Sequence, residues 1–152
     1  MRVFVHKVHP NAVMPVCAYE GTSAAFDITC TEDTVIPAHS AAVVPNGLNI
    51  TIDQHQPYYM IVHLRSSVGF KKDLICHPGV IDAGYTGDLG VKIYNLGDDD
   101  VVIKAGDRYA QLTVHRKETV DLVAMDDDEW QEFSAAQQRG NNGFGSSGNK
   151  VQ

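Results

Sequence analysis

The stretch HPGVIDAGYTGDLGVKIYN (77–95) sets one carboxylate, Asp82, directly behind apolar Val80 and Ile81. A carboxylate expected to be partly buried in such a setting can serve as a general base. Asp82 and Asp88 also suit turns, where aspartate bonds its own backbone. Gly79, Gly84 and Gly87 fit tight turns and a close approach of backbone to another group. A hairpin rim here would offer unpaired N–H and C=O groups able to read a nucleobase edge. Tyr85 is either a cross-strand packing residue or an aromatic platform for a sugar or base.

Three further segments and the C-terminal tail carry candidate groups. In LRSSVGF (64–70), Arg65 precedes Ser66 and Ser67. A helix starting there would combine free N–H groups, a positive dipole end, hydroxyls and a guanidinium, a combination suited to phosphate oxygens; the other reading is a capped surface helix. SAAFDITC (23–30) holds Asp27 inside an apolar stretch. A buried carboxylate is costly unless compensated, so Asp27 needs an arginine partner or a cation. Gln111, in GDRYAQLTVHR (106–116), either projects a donor into a cleft or faces solvent. The tail RGNNGFGSSG (139–148) sets Arg139, Phe144, Ser146 and Ser147 among glycines. Such a segment is a frayed end or a flap that orders over a ligand. The seven histidines form no HExxH or Cys/His cluster.

Short period-two runs must position these groups. RVFVHKV, GLNITI, YYMIVHL, LGVKIYN, VVIKAG, RYAQLTVHR and TVDLVAM are β-branched or aromatic, with turn residues such as VPNG (44–47) and KAGD (104–107) between them. Their spacing predicts an all-β sandwich or barrel. RSSVGFKK (65–72) predicts one short helix of about two turns, with Ser66 or Ser67 as its N-cap. From Met125 the chain turns acidic and then loses periodicity. A β-rich core over 1–125 and an arm over 126–152 follow. No internal repeat is present.

The 152 residues suit one domain. A net charge of −7, from 12 basic and 19 acidic residues, excludes a general nucleic-acid surface. An anionic ligand must therefore be held by a few local donors, for which Arg65, Arg108, Arg116 and Arg139 are the scarce candidates. No apolar run reaches the ~18 residues a membrane span needs, and MRVFVHKVHP lacks the apolar core of a secretion signal. Three cysteines, Cys17, Cys30 and Cys76, make no disulfide framework and point to a reducing, cytoplasmic setting.

Taken in order, SAAFDIT, RSSVGF, GVIDAGYTGDLGV, GDRYAQL and RGNNGFGSSG resemble the five motifs of the trimeric dUTPase family, and they span residues 23 to 148. The resemblance implies a jelly-roll-like or distorted β-barrel subunit with one short helix. It implies a homotrimer whose sites are shared between chains, and a C-terminal arm that crosses to a neighbour with a lid at 138–148. The implied reaction is Mg²⁺-dependent hydrolysis of dUTP to dUMP and pyrophosphate, with Asp82 deprotonating the attacking water. Arg65, Ser66, Ser67, Gln111, Arg139, Ser146 and Ser147 match the family's phosphate contacts. Asp27 matches the residue that reaches Mg²⁺ through water. By the same resemblance Tyr85 lies under the deoxyribose, Phe144 stacks on uracil, and the segment holding Cys76, Gly79 and Ile81 reads the base.

The chain departs from the family pattern at Cys76, where many relatives carry Asn or Asp, at Asn142, where glycine is usual, and at Ala25-Phe26-Asp27-Ile28, where glycine-tyrosine-aspartate-leucine is usual. A thiol is a poor hydrogen-bond partner, which shifts base recognition to the backbone. Rival readings are a dCTP deaminase, whose glutamate-centred motif is not evident here, and a dUTPase-like nucleotide-binding regulator acting on an additional protein partner. A third is an all-β binding module with no nucleotide role.

Overall fold

Apolar alternation places the longest strands where the sequence puts them. The computed structural model describes residues 1–19, 21–140 and 142. In it β6 (Tyr58–Leu64) and β11 (Arg108–Arg116) coincide with YYMIVHL and RYAQLTVHR. The remaining strands are β1 (Val3–Lys7), β2 (Ala25–Thr29), β3 (Thr34–Ile36), β4 (Ala41–Val44), β5 (Leu48–Ile52), β7 (Leu74–Cys76), β8 (Gly79–Ile81), β9 (Val91–Asn95) and β10 (Val101–Ile103). Helix α1 (Ser66–Lys72) follows β6. The chain divides into two units, Met1–Glu118 and Thr119–Gln152.

Among the described residues all ladders are antiparallel, in sheets ordered β2-β11-β6-β8, β4-β9-β7, β1-β5 and β10-β3. The result is a jelly-roll-like all-β fold. Among the described residues its ladders form open sheets and not a closed barrel. In β6, Met60 and Val62 enter the core while Tyr59, Ile61 and His63 take the opposite face. Ile28, Ile50, Ile52, Ile93, Tyr109 and Leu112 fill the same core. Each such side chain contributes about 1.5–3 kcal/mol relative to exposure.

A polar network inside this core fixes the loop that borders the site. The Tyr109 hydroxyl donates to the Val44 carbonyl at 2.8 Å and accepts from the Asn46 amide at 3.4 Å. The same amide donates to the Leu89 carbonyl, and the Asn46 oxygen accepts from the Leu48 N–H at 3.0 Å. Burial pushes the Tyr109 phenol well above its ordinary value. Gly47, at φ +65°, lies so close to the His9 side chain that a Cβ would collide with it.

Two expectations for the second unit fail. TVDLVAM is not a strand: residues 119–125 carry no strand pairing, and Leu122 is 97% exposed. Alternation shows a segment fit for one buried face, but a strand also needs a hydrogen-bonding neighbour. Nor is there a single helix, since α2 (Asp127–Ala135) forms in the acidic stretch. Asp126 and Glu129 make a reciprocal capping box, with bonds of 2.9 Å in each direction. The acids Asp127, Asp128 and Glu129 in the first turn favour the positive end of the dipole. No helix among the described residues is long and apolar enough to cross a membrane.

Candidate active site: a carboxylate cleft and an arginine-clamped aspartate

Asp82 is the first residue beyond β8, a strand held to β6 by the pairs Val62↔Gly79, Ile61↔Val80 and Met60↔Ile81. This register turns Ile81 into the core and Val80 outward. The chain then reverses: the Tyr85 N–H donates to the Asp82 carbonyl at 3.2 Å and the Gly84 N–H to the Ile52 carbonyl at 2.8 Å. Gly84 sits at φ +84°, a conformation that suits glycine at this point of a turn. Asp82, expected to be partly buried, is exposed. Ending the strand at Ile81 carries the next side chain out of the core instead of between its apolar neighbours.

Asp82 lines a cleft of about 260 Å³ with Tyr85, Gly79, Ile81, His77, Lys92 and Asp88, over a floor of Val62, Leu89 and Val91. The Tyr85 hydroxyl donates to the Asp88 carbonyl at 3.0 Å, fixing the ring at the rim. A Cβ on Gly79 would meet no atom within 4 Å, so its backbone is open to a ligand. Cys76 pairs with Ile93 in the β7–β9 ladder and does not line the cleft. Its neighbour His77 does, held by its N–H to the Lys92 carbonyl at 3.0 Å. His77 and Lys92 escaped the sequence reading because nothing in their local pattern marks them.

A second cluster surrounds Asp27. This carboxylate is 8% exposed, and the two alternatives for it resolve as arginine pairing: Arg65 Nε meets one oxygen at 3.0 Å and Arg108 Nη1 the other at 3.0 Å. Asp27 lies opposite Gln111 in the β2–β11 ladder, and Gln111 lies opposite His63 of β6. The Gln111 amide donates to the Leu64 carbonyl at 3.3 Å. Arg65 is further tied by its N–H to the Tyr109 carbonyl and by Nη1 to the Arg108 carbonyl, both at 3.1 Å. Two guanidiniums against one carboxylate leave a local positive excess in a chain of net charge −7, which suits an anion. Arg108 was missed as a member of this cluster, although a buried Asp27 demanded such a partner.

The N-cap of α1 is Arg65, with extended backbone and no side-chain cap, in place of Ser66 or Ser67. The bond from the Arg65 N–H to Tyr109 continues the β6–β11 pairing by one residue. Both serines therefore fall in the first helical turn, exposed. Arg139 is exposed, with Nε donating to the Asn142 carbonyl at 3.1 Å. Phe144, Ser146 and Ser147 lie outside the described residues.

Among the described residues no group of three His, Cys, Asp or Glu side chains could cage a metal ion. A carboxylate offers about four lone-pair positions. One of those on Asp27 accepts from Arg108, Arg65 is ion-paired beside it, and the others remain able to accept from metal-bound water. That donor set fits Mg²⁺ held largely by a ligand's own oxygens and water.

A sequence model of the dUTPase family matches residues 11–148. The deoxyuridine 5'-triphosphate nucleotidohydrolase of Wolinella succinogenes is 36% identical over 151 residues, covering 97% of this chain and 95% of its own. That of Solanum lycopersicum is 35% identical over 144 residues, 95% of this chain and 80% of its own. Among solved structures, a variant of the Staphylococcus bacteriophage 80alpha dUTPase with dUpNHpp superposes with a TM-score of 0.84 at 28% identity, covering 97% of this chain and 98% of the other. A variant of the dUTPase from phage phi11 of S. aureus, described with a structural Mg(II) ion, gives 0.74 at 27% identity over 84% of this chain and 98% of its own. Fold, motif order and sequence agree, and the chain belongs to the dUTPase family.

Proposed function

We propose that the chain hydrolyses dUTP to dUMP and pyrophosphate with Asp82 as general base. The observation that carries this is an exposed carboxylate placed beside Tyr85 and the open Gly79 backbone, in a chain of this family. The Asp82 carboxylate orients a water and takes its proton as the water oxygen bonds to the α-phosphorus. The bond from that phosphorus to the α,β-bridging oxygen breaks in line, and pyrophosphate leaves with the bridging oxygen. Base catalysis of this kind contributes roughly 10²–10⁴-fold. The rest comes from positioning the triphosphate and offsetting its charge, the task of Arg65, Ser66, Ser67 and Gln111.

Mg²⁺ is the cofactor in this reading: Asp27 would hold it through water, and when bound it would offset the ligand's charge. Backbone groups around Gly79 and Ile81 complement uracil's N3–H and O4. Cys76, outside the cleft lining, contributes no side-chain contact to the base. Tyr85 supports the deoxyribose and leaves no room for a 2′-hydroxyl.

Asp27, Arg65, Ser66 and Gln111 do not line the Asp82 cleft. This separation supports a homotrimer in which one chain supplies the base-reading cleft and a neighbour the phosphate contacts. The arm over 126–152 then brings Arg139, Phe144, Ser146 and Ser147 to a neighbour's site as a lid over 138–148. The exposed apolar Val120, Leu122 and Val123, which lead into this arm, support coverage of that segment by another copy. The free thiols of Cys17, Cys30 and Cys76 support a reducing cytosol.

The test is pyrophosphate release from dUTP, dTTP, dCTP and UTP, each with and without Mg²⁺, together with the mass in solution. Release from dUTP alone, dependent on Mg²⁺, by a particle of three copies is expected. Ammonia release from dCTP, or full activity in single copies, would overturn the reading.

A further inference from the structure

Arg108 takes no part in the reaction proposed above, yet it makes one of the two ionic contacts of the buried Asp27. Its position comes from a β-bulge. Along β2–β11, Gln111 pairs with Asp27, and regular register would place Tyr109 opposite Thr29; the register shifts between Arg108 and Ala110, so Arg108 takes that place. Bulges re-aim side chains beside functional sites. Here the shift sends Tyr109 into the core and sets Arg108 on the same face as Asp27 and Gln111.

The consequence falls on Arg65. Its guanidinium carries five N–H donors in a rigid fork. Nε is ion-paired with one Asp27 oxygen at 3.0 Å, and an Nη1 proton is donated to the Arg108 carbonyl. The other Asp27 oxygen accepts from Arg108, and the Arg65 fork forms no two-pronged pair with Asp27. Among the described residues no acceptor meets the remaining Nη protons of Arg65, which leaves them for a ligand. The Arg65 side chain is 28% exposed and that of Arg108 46% exposed, so the cluster has an open side. Without Arg108, one buried Asp27 oxygen would lose its hydrogen-bond partner, and Arg65 is the other cation beside that carboxylate.

We infer that Arg108 is a positioning residue: it occupies Asp27 so that Arg65 presents its outer edge to the triphosphate, and it supplies the cluster's excess positive charge. The inference rests on the dUTP reading, since it gives Arg65 a phosphate to meet.

The experiment is a double-mutant cycle on the full chain with Arg108→Gln, Asp27→Asn and both together. It reads KM and kcat for dUTP, and Kd for the non-hydrolysable analogue dUpNHpp and for deoxyuridine, which lacks phosphate. Arg108→Gln should raise KM and the dUpNHpp Kd about tenfold, the scale of one charge-assisted hydrogen bond, and leave deoxyuridine binding unchanged. In the Asp27→Asn background the same change should cost less than about threefold, because the two side chains act as a unit. Arg108→Lys, which keeps a cation but not the fork, should recover part of the loss, and it carries the cycle should the Gln variant not fold. A full tenfold cost that persists without the Asp27 charge, or equal losses for dUpNHpp and deoxyuridine, would overturn the inference. Absence of pyrophosphate release by the unmodified chain would refute the reading of function instead; the dUpNHpp cycle, which needs no turnover, still decides the role of Arg108.

Discussion

Gln111 stands directly opposite Asp27 across the β2–β11 ladder, and its amide holds the Leu64 carbonyl at 3.3 Å, one residue before Arg65. One side chain thus ties the middle of β11 to the point where β6 gives way to α1. Gln111→Glu would put a second carboxylate against Asp27, where like charges in facing positions repel. It would also compete for Arg65 and Arg108. The KM for dUTP should rise at least about tenfold, more than for Gln111→Ala, which loses a hydrogen bond of about 1 kcal/mol without adding charge. Steady-state pyrophosphate release on the two variants separates the terms, and equal effects would mean that the site is insensitive to charge.

Asp82→Asn keeps the shape of the rim and removes the base. Turnover should drop by roughly 10²–10⁴-fold, while the dUpNHpp Kd stays within about threefold, because the residue is exposed and the turn is held by backbone bonds. Near-normal turnover would place the base elsewhere.

Tyr85 depends on a glycine two residues away. A Cβ at Gly87 would press on the Tyr85 ring and hydroxyl. Gly87→Ala should displace the ring from its bond to the Asp88 carbonyl. The ratio of kcat/KM for dUTP over UTP should fall, with Asp82 chemistry on dUTP less affected. An unchanged ratio would remove Tyr85 from sugar selection.

Deleting Arg139 to Gln152 takes away the proposed lid and none of the core residues among those described. Triphosphate binding and turnover should weaken while the melting transition of the β core stays within a few degrees, as for changes outside packed structure. Calorimetry beside the pyrophosphate assay checks both halves, and full activity after truncation would end the lid reading.

The parts legible in the sequence were those governed by local periodicity. YYMIVHL and RYAQLTVHR alternate cleanly, and each became a strand at the expected residues. TVDLVAM alternates as well, but pairing is a property of two segments, and period alone names no partner. The capping signature of Asp126 and Glu129 was readable beneath the lost apolar period, and it outweighed that loss in forming α2. Asp27 announced its need for compensation through its apolar neighbours. That Arg108 would help meet it depended on a one-residue register shift, which leaves no mark in composition. Asp82 showed the limit of reasoning from neighbours: Ile81 and Val80 alternate in and out, so an apolar pair before it said nothing about its own burial.

Tyr109 offers a test of the core by pH. Its hydroxyl donates to Val44 at 2.8 Å and accepts from Asn46, so Tyr109→Phe should cost about 1–2 kcal/mol near pH 8. Burial above all holds the folded phenol protonated beyond its ordinary value, the Asn46 bond opposing that shift only in part. In the unfolded chain this tyrosine ionises near pH ~10. Between those two values the unfolded state has lost a proton that the folded state keeps, so stability falls as pH rises. The slope is about 1.4 kcal/mol per pH unit for this one group, and phenylalanine lacks it. The advantage of the native tyrosine over the Tyr109→Phe variant should therefore shrink above pH ~10 and vanish near pH ~11. Urea unfolding of both proteins from pH 8 to 11 measures the gap, and a gap that stayed constant would show that the phenol titrates alike in both states.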